Sequence, residues 1–221
     1  MTENIFAQPL LPKPLTSDSK LSAFYITPNL KPPIPLIVYM HGLIVEQKGY
    51  QESASLGYDV RDFANAISKN GFAAYLPLRS PEDNDISSIN SEIEKFLLSH
   101  SEIDSSSVAL VGFSKGGAIA ISMAMARPDV YKKLVLISPA ISEAKCTSIN
   151  EKFTGPILIT IGTEDPSSII SGVSKCFKDK SSWKSGIAPI IKTFDGNHRS
   201  FWKVRPDHWK EVIAFISNPS H

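Results

Sequence analysis

The chain has 221 residues, 42% apolar and 20% charged, with 23 basic against 22 acidic side chains and a net charge of +1. This is ordinary globular composition, and the length suits a single α/β domain over 1–221. There is no basic surplus to attract nucleic acid or an anionic membrane, and no apolar run approaches the 18 or so residues of a membrane span.

Seven of the 16 prolines fall within residues 1–35, so 1–34 reads as an extended, proline-rich segment with one or two edge strands, one of them at Leu21–Thr27. With Glu3 early and Pro9, Pro12 and Pro14 interrupting any apolar core, this end does not read as a signal peptide, and a cytoplasmic location is expected. The texture then changes. Leu36–Met40 is a strand run ending at His41-Gly42. Asp59–Asn70 has helical spacing, with Val60, Phe63, Ala64 and Ile67 on one face and Gly71 as its stop. Phe72–Leu78 is a strand. Asp85–His100 repeats Ile86, Ile89, Ile93, Phe96 and Leu97 at helical intervals. Ser107–Val111 is a strand, and Lys115–Ala126 an apolar, buried helix closed by Arg127-Pro128. Strands at Leu134–Ile137, Ile157–Ile161 and Ile187–Phe194 alternate with helices at Ser167–Phe177 and Asp207–Ser217. Such alternation predicts a mostly parallel, doubly wound sheet with helices on both faces. Ligands of such sheets bind at the carboxyl ends of the strands.

Gly112-Phe-Ser-Lys-Gly116 stands at one of those ends. The pattern G-x-S-x-G places a serine on a sharp strand-to-helix turn, and the glycines give the strained turn room. A serine hydroxyl needs a base within reach, and the base needs an orienting carboxylate. Of the five histidines, His198 alone lies in a polar loop directly after the last strand, within Phe194-Asp-Gly-Asn-His-Arg-Ser200. Ile161-Gly-Thr-Glu-Asp-Pro166 closes another strand with two carboxylates. Asp165 is preferred for its short side chain on a tight turn, with Glu164 and, more remotely, Glu143 as alternatives. Cys146 and Cys176 form no C-x-x-C and no cysteine–histidine cluster, so no metal site is expected and two free thiols are preferred over a disulfide.

The order Ser114, Asp165, His198, together with Tyr39-Met-His-Gly-Leu43, Tyr75-Leu-Pro-Leu-Arg79, Gly112-Phe-Ser-Lys-Gly-Gly117, Gly162-Thr-Glu-Asp165 and Gly196-Asn-His198, resembles the α/β-hydrolase superfamily. The similarity is greatest to small dienelactone hydrolase-like and carboxylesterase members, here with a serine where dienelactone hydrolases proper use cysteine. The resemblance implies an α/β-hydrolase fold with a short or absent lid and a serine esterase that needs no cofactor. Its substrate would be a small-molecule ester or thioester, and the chain a monomer or homodimer. It also implies an oxyanion hole built from the backbone N–H groups of Lys115 and Leu43, with His41 shaping the loop. Thioester or amide cleavage would use the same residues, and a non-hydrolytic receptor on this fold is the reading from another class. Leu43, Ile44, Val45 and Tyr50 are candidates for an acyl-pocket wall or for plain core. Arg79 and Lys115 either draw the site toward anionic substrates or, as preferred, are a structural ion-paired arginine and a solvated lysine.

Overall fold

The computed structural model describes residues 10–14, 21–177, 183 and 187–218, apart from the side chains of 143, 144, 146 and 147. The strands are β1 (Lys13–Pro14), β2 (Ser22–Ile26), β3 (Ile34–Met40), β4 (Ala73–Leu78), β5 (Ile103–Phe113), β6 (Tyr131–Ile137), β7 (Ile157–Glu164) and β8 (Ile190–Asn197). They form one eight-stranded sheet in the order β1-β2-β4-β3-β5-β6-β7-β8. β1 and β2 run antiparallel to their neighbours, and every other pairing is parallel. The helices are α1 (Leu43–Ser55), α2 (Val60–Lys69), α3 (Ile86–Ser99), α4 (Lys115–Ala126), α5 (Glu143–Lys152), α6 (Ser167–Phe177) and α7 (Pro206–Ser217). A 3-10 turn covers His198–Trp202.

The period of two in the strands divides the core. Leu36, Val38 and Met40 of β3, Leu110 of β5, and Leu134 and Leu136 of β6 face one layer with α3, α4, α5 and α6. Ile37 and Tyr39, Val111 and Phe113, and Val135 and Ile137 face the other, with α1, α2 and α7. Strands covered on both sides read as unbroken apolar runs, which is why β3, β5 and β6 are conspicuous in the sequence. The helix signals are local. Asp59 caps α2, accepting from the Arg61 amide at 3.0 Å, and Asp85 caps α3 through the Ser87 and Ser88 amides. No helix among the described residues is long and apolar enough to cross a membrane.

Two helices depart from the expected elements. α1 follows β3 at once, and Gly49, at φ +75°, breaks it midway, so no regular apolar stripe runs along it. Val45 is buried in the core, and Ile44 and Tyr50, half-buried, pack against it, with Tyr50 edge-on to Phe24 at 5.2 Å. Leu43 is exposed. α5 fills the connection between β6 and β7, which has no other cover. β5 begins at Ile103, four residues early, because half-buried Asp104 and exposed Ser105–Ser107 continue the strand across a bulge. β8 begins at Ile190 and extends to Asn197, where polar residues still pair with β7 at this outer edge. Cys176 is disulfide-bonded, which corrects the free-thiol expectation for that residue.

Candidate active site

Four strand ends meet above the sheet. β5 leads into Ser114, which sits at φ 54°, ψ −118° ahead of α4. A non-glycine residue held there costs on the order of 1–3 kcal/mol, a strain met mostly where function imposes it. The turn is over-determined. The Ser114 amide donates to the Ile137 carbonyl at 2.9 Å, and its carbonyl accepts from Gly117 at 2.9 Å and Ala140 at 3.0 Å. Any Cβ on Gly112 would lie 2.5 Å from the Gly116 carbonyl oxygen, and one on Gly116 would lie 2.5 Å from that of His41. The flanking glycines are therefore required by the close approach of α4 to β5 and to the turn after β3.

The structure brings Ser114, Asp165 and His198 together. His198, first residue of the 3-10 turn, lies 2.9 Å through Nε2 from Ser114 Oγ and 2.8 Å through Nδ1 from Asp165 Oδ1. Its ring stacks on Phe113 at 4.9 Å. The neighbours assign the proton: an ionised carboxylate only accepts, so Nδ1 carries the hydrogen and Nε2 is free to accept from the serine. The Asp165 carboxylate is fully buried, and its Oδ2 accepts from the Ser138 hydroxyl and the Gly162 amide, each at 2.6 Å. Burial alone would raise the pKa of Asp165. The hydrogen bonds from His198, Ser138 and Gly162 outweigh it, and the acid is held below its usual range. Glu164 is exposed and pairs in register with Asn197, and the histidine nitrogen that an orienting acid would hold is bonded to Asp165 instead. The Glu143 side chain lies outside the described residues.

Ser138 is absent from the sequence reading. It follows β6 at φ 41°, fully buried, and its amide donates to the Thr160 carbonyl at 2.7 Å. Apart from its place at a strand end, nothing in the sequence marks it. Glu46 is a second such residue. Its side chain, 1% exposed, accepts from Arg79 Nη1 at 3.2 Å, Asn84 Nδ2 at 3.0 Å and the Lys115 ammonium. Arg79 is thus the structural ion-paired arginine expected, whereas Lys115 is tied down rather than simply solvated, and one buried carboxylate answers both cations. Burial pushes the Glu46 pKa up, but Lys115, Asn84 and Arg79 together bring it below the usual value.

His41 is buried and bonded to the Arg79 amide through Nε2 at 2.9 Å. Burial, then the Arg79 charge, lowers its pKa to about 3. His208, buried in α7 and 2.9 Å from Thr160 Oγ1, is lowered by burial to about 4. Both stay neutral in the folded chain at pH 5, while the unfolded chain takes up protons at each below about pH 6.5. Stability therefore falls as the pH drops through that range. The two sites together are expected to remove on the order of 4 kcal/mol between pH 7 and pH 5. Urea unfolding at the two pH values checks this, and a free energy unchanged between them would contradict it.

This sheet order, with a serine on the turn after its central strand, defines an α/β hydrolase. The chain belongs to the family described as "Putative esterase", whose model matches residues 32–215, and it is accordingly a carboxylesterase-type hydrolase acting on ester bonds. No curated protein matches it by sequence. Among solved structures it is similar to a "Putative Dienelactone Hydrolase" from Klebsiella pneumoniae, at 15% identity and a TM-score of 0.71, covering 94% of this chain and 98% of that one. It is also similar to an S-formylglutathione hydrolase from Agrobacterium tumefaciens, at 18% identity, TM-score 0.65, over 89% and 90% of the two chains. Est1E from Butyrivibrio proteoclasticus matches at 16% identity, TM-score 0.62, over 93% and 95%. At these identities the neighbours establish the α/β-hydrolase fold.

Proposed function

We propose that Ser114, His198 and Asp165 form the catalytic triad of an esterase that works through an acyl-enzyme on small or flexible acyl groups. The observation that carries this reading is the position of His198, within 3 Å of both the serine oxygen and the buried carboxylate. Ser114 Oγ attacks the ester carbonyl as His198 Nε2 takes its proton. The negative charge moves to the carbonyl oxygen, where the backbone N–H groups of Leu43 and Lys115 receive it. These residues open α1 and α4, so neither N–H has an acceptor within its own helix. His198 passes the proton to the departing alkoxide, and the acyl group stays on Ser114. Water, deprotonated by the same imidazole, then releases the acid, and no cofactor enters.

The small-acyl preference rests on the cover. Between β6 and β7 stands one ten-residue helix, α5, in place of a cap domain. A p-nitrophenyl ester series from acetate to dodecanoate tests both parts of the proposal. The acetate and butyrate are expected to give stoichiometric bursts followed by steady turnover, with kcat/KM falling at least about 10-fold toward the long chains. A burst without turnover would identify a receptor, and a preference rising with chain length would refute the open site.

A further inference from the structure

Glu46 touches no atom of the triad, yet two of its donors lead to the two amides assigned to the oxyanion. Lys115 carries one of those amides itself, and its ammonium is bonded to Glu46 Oε1. Arg79 leads to the other by two routes. Its Nη2 donates to the His41 carbonyl at 2.7 Å, and its backbone N–H donates to His41 Nε2 at 2.9 Å. The second bond leaves the imidazole proton on Nδ1, which donates to the Gly42 carbonyl at 3.0 Å. A trans peptide points its C=O and N–H in opposite directions. Holding the Gly42 oxygen against the His41 ring therefore turns the Leu43 N–H away from that ring. The Gly42 N–H is in turn taken by the Tyr58 hydroxyl at 3.4 Å. The start of α4 also lies against the turn that leads into α1, since a Cβ on Gly116 would press on the His41 carbonyl at 2.5 Å.

We infer that Glu46 is a positioning residue, whose carboxylate ties the start of α1 to the start of α4 so that the Leu43 and Lys115 amides converge on one oxyanion. The inference rests on the triad reading above and adds a residue that contacts neither substrate nor triad. A carboxylate is required because two cations meet it, one of them the fully buried Arg79. A neutral amide of the same shape would remove the one carboxylate bonded to both charges.

Kinetics of the full chain on p-nitrophenyl acetate, normalised to sites titrated with a fluorophosphonate, provide the test. Inhibition by an aryl trifluoromethyl ketone, whose hemiketal oxygen occupies the hole, is measured alongside. Glu46→Gln is expected to lower kcat per titrated site about 10- to 100-fold while KM moves less than about threefold. The ketone should weaken by the same factor as kcat/KM, because both read the oxyanion donors. A merely structural role would reduce the number of titratable sites and leave kcat per site and ketone affinity unchanged, and that result overturns the inference. If Glu46→Gln does not fold, Lys115→Met decides, since it leaves the buried Glu46–Arg79 pair whole. A several-fold fall in kcat matched by the ketone supports the role, and unchanged values overturn it. A wild-type chain that neither takes the phosphonate nor turns over the ester overturns the triad reading and this inference with it. An active wild type with indifferent variants overturns the positioning role alone.

Discussion

Replacing Ser114 by alanine is expected to reduce ester turnover about 10⁵- to 10⁶-fold and to abolish labelling by a serine-directed phosphonate. The fold should survive. Ser114 makes no side-chain capping bond to α4, and its strained φ of 54° is imposed by the backbone bonds to Ile137, Gly117 and Ala140. Alanine meets the same backbone with the same Cβ, so a stability change within about 1 kcal/mol is expected. The variant thus separates chemistry from folding: unchanged unfolding midpoint, no label, no turnover. A variant that still takes the phosphonate would mean that another residue is the nucleophile. Several exposed serines are available to be labelled in that case, and mass spectrometry of the adduct would identify which.

The second large effect concerns the acid. Asp165→Asn is expected to lower kcat by roughly 10⁴, through the histidine tautomer. In many proteins an introduced asparagine can turn its amide either way; here the surroundings choose. Ser138 Oγ and the Gly162 amide both donate to the position of Oδ2, so the asparagine oxygen must face them. Its NH₂ then faces His198 Nδ1 and forces the hydrogen onto Nε2, the atom that has to accept from Ser114. Glu164→Gln, one residue earlier, should leave kcat within about twofold, because that side chain is exposed and His198 is bonded to Asp165. Equal effects of the two substitutions would remove Asp165 from its role.

Much of this arrangement is legible in the chain because it is local. The apolar run of β5, the small residues at Gly112 and Gly116 and the apolar segment of α4 adjoin one another, and hydrophobic periodicity with glycine placement reports them directly. Asp165 and His198 are legible at one remove, as polar residues just past strands whose positions at the sheet top follow from parallel topology. Ser138 and Glu46 are not. Ser138 meets an acid 27 residues away and Glu46 a cation 69 residues away, and in sequence each resembles an ordinary surface residue. α1 escaped for a related reason: Gly49 interrupts it and it buries few side chains, so no helical stripe is written into Leu43–Ser55. Contacts of this kind depend on where two distant elements cross, which periodicity does not encode.

The strand-end construction also separates what can be exchanged from what cannot. The proposed triad and the hydroxyl that supports its acid are spaced by neighbouring strands: Ser114 follows β5, Ser138 follows β6, Asp165 follows β7 and His198 follows β8, each strand in parallel register with the next. The covering segment α5 contributes none of them. For protein engineering, the exposed positions between Ile141 and Gly155 are therefore the ones to vary, with Ile149 and Phe153 kept because they are buried in the core. A single residue inserted within β5, β6 or β7 would instead send every following side chain to the opposite face and dismantle the constellation at once.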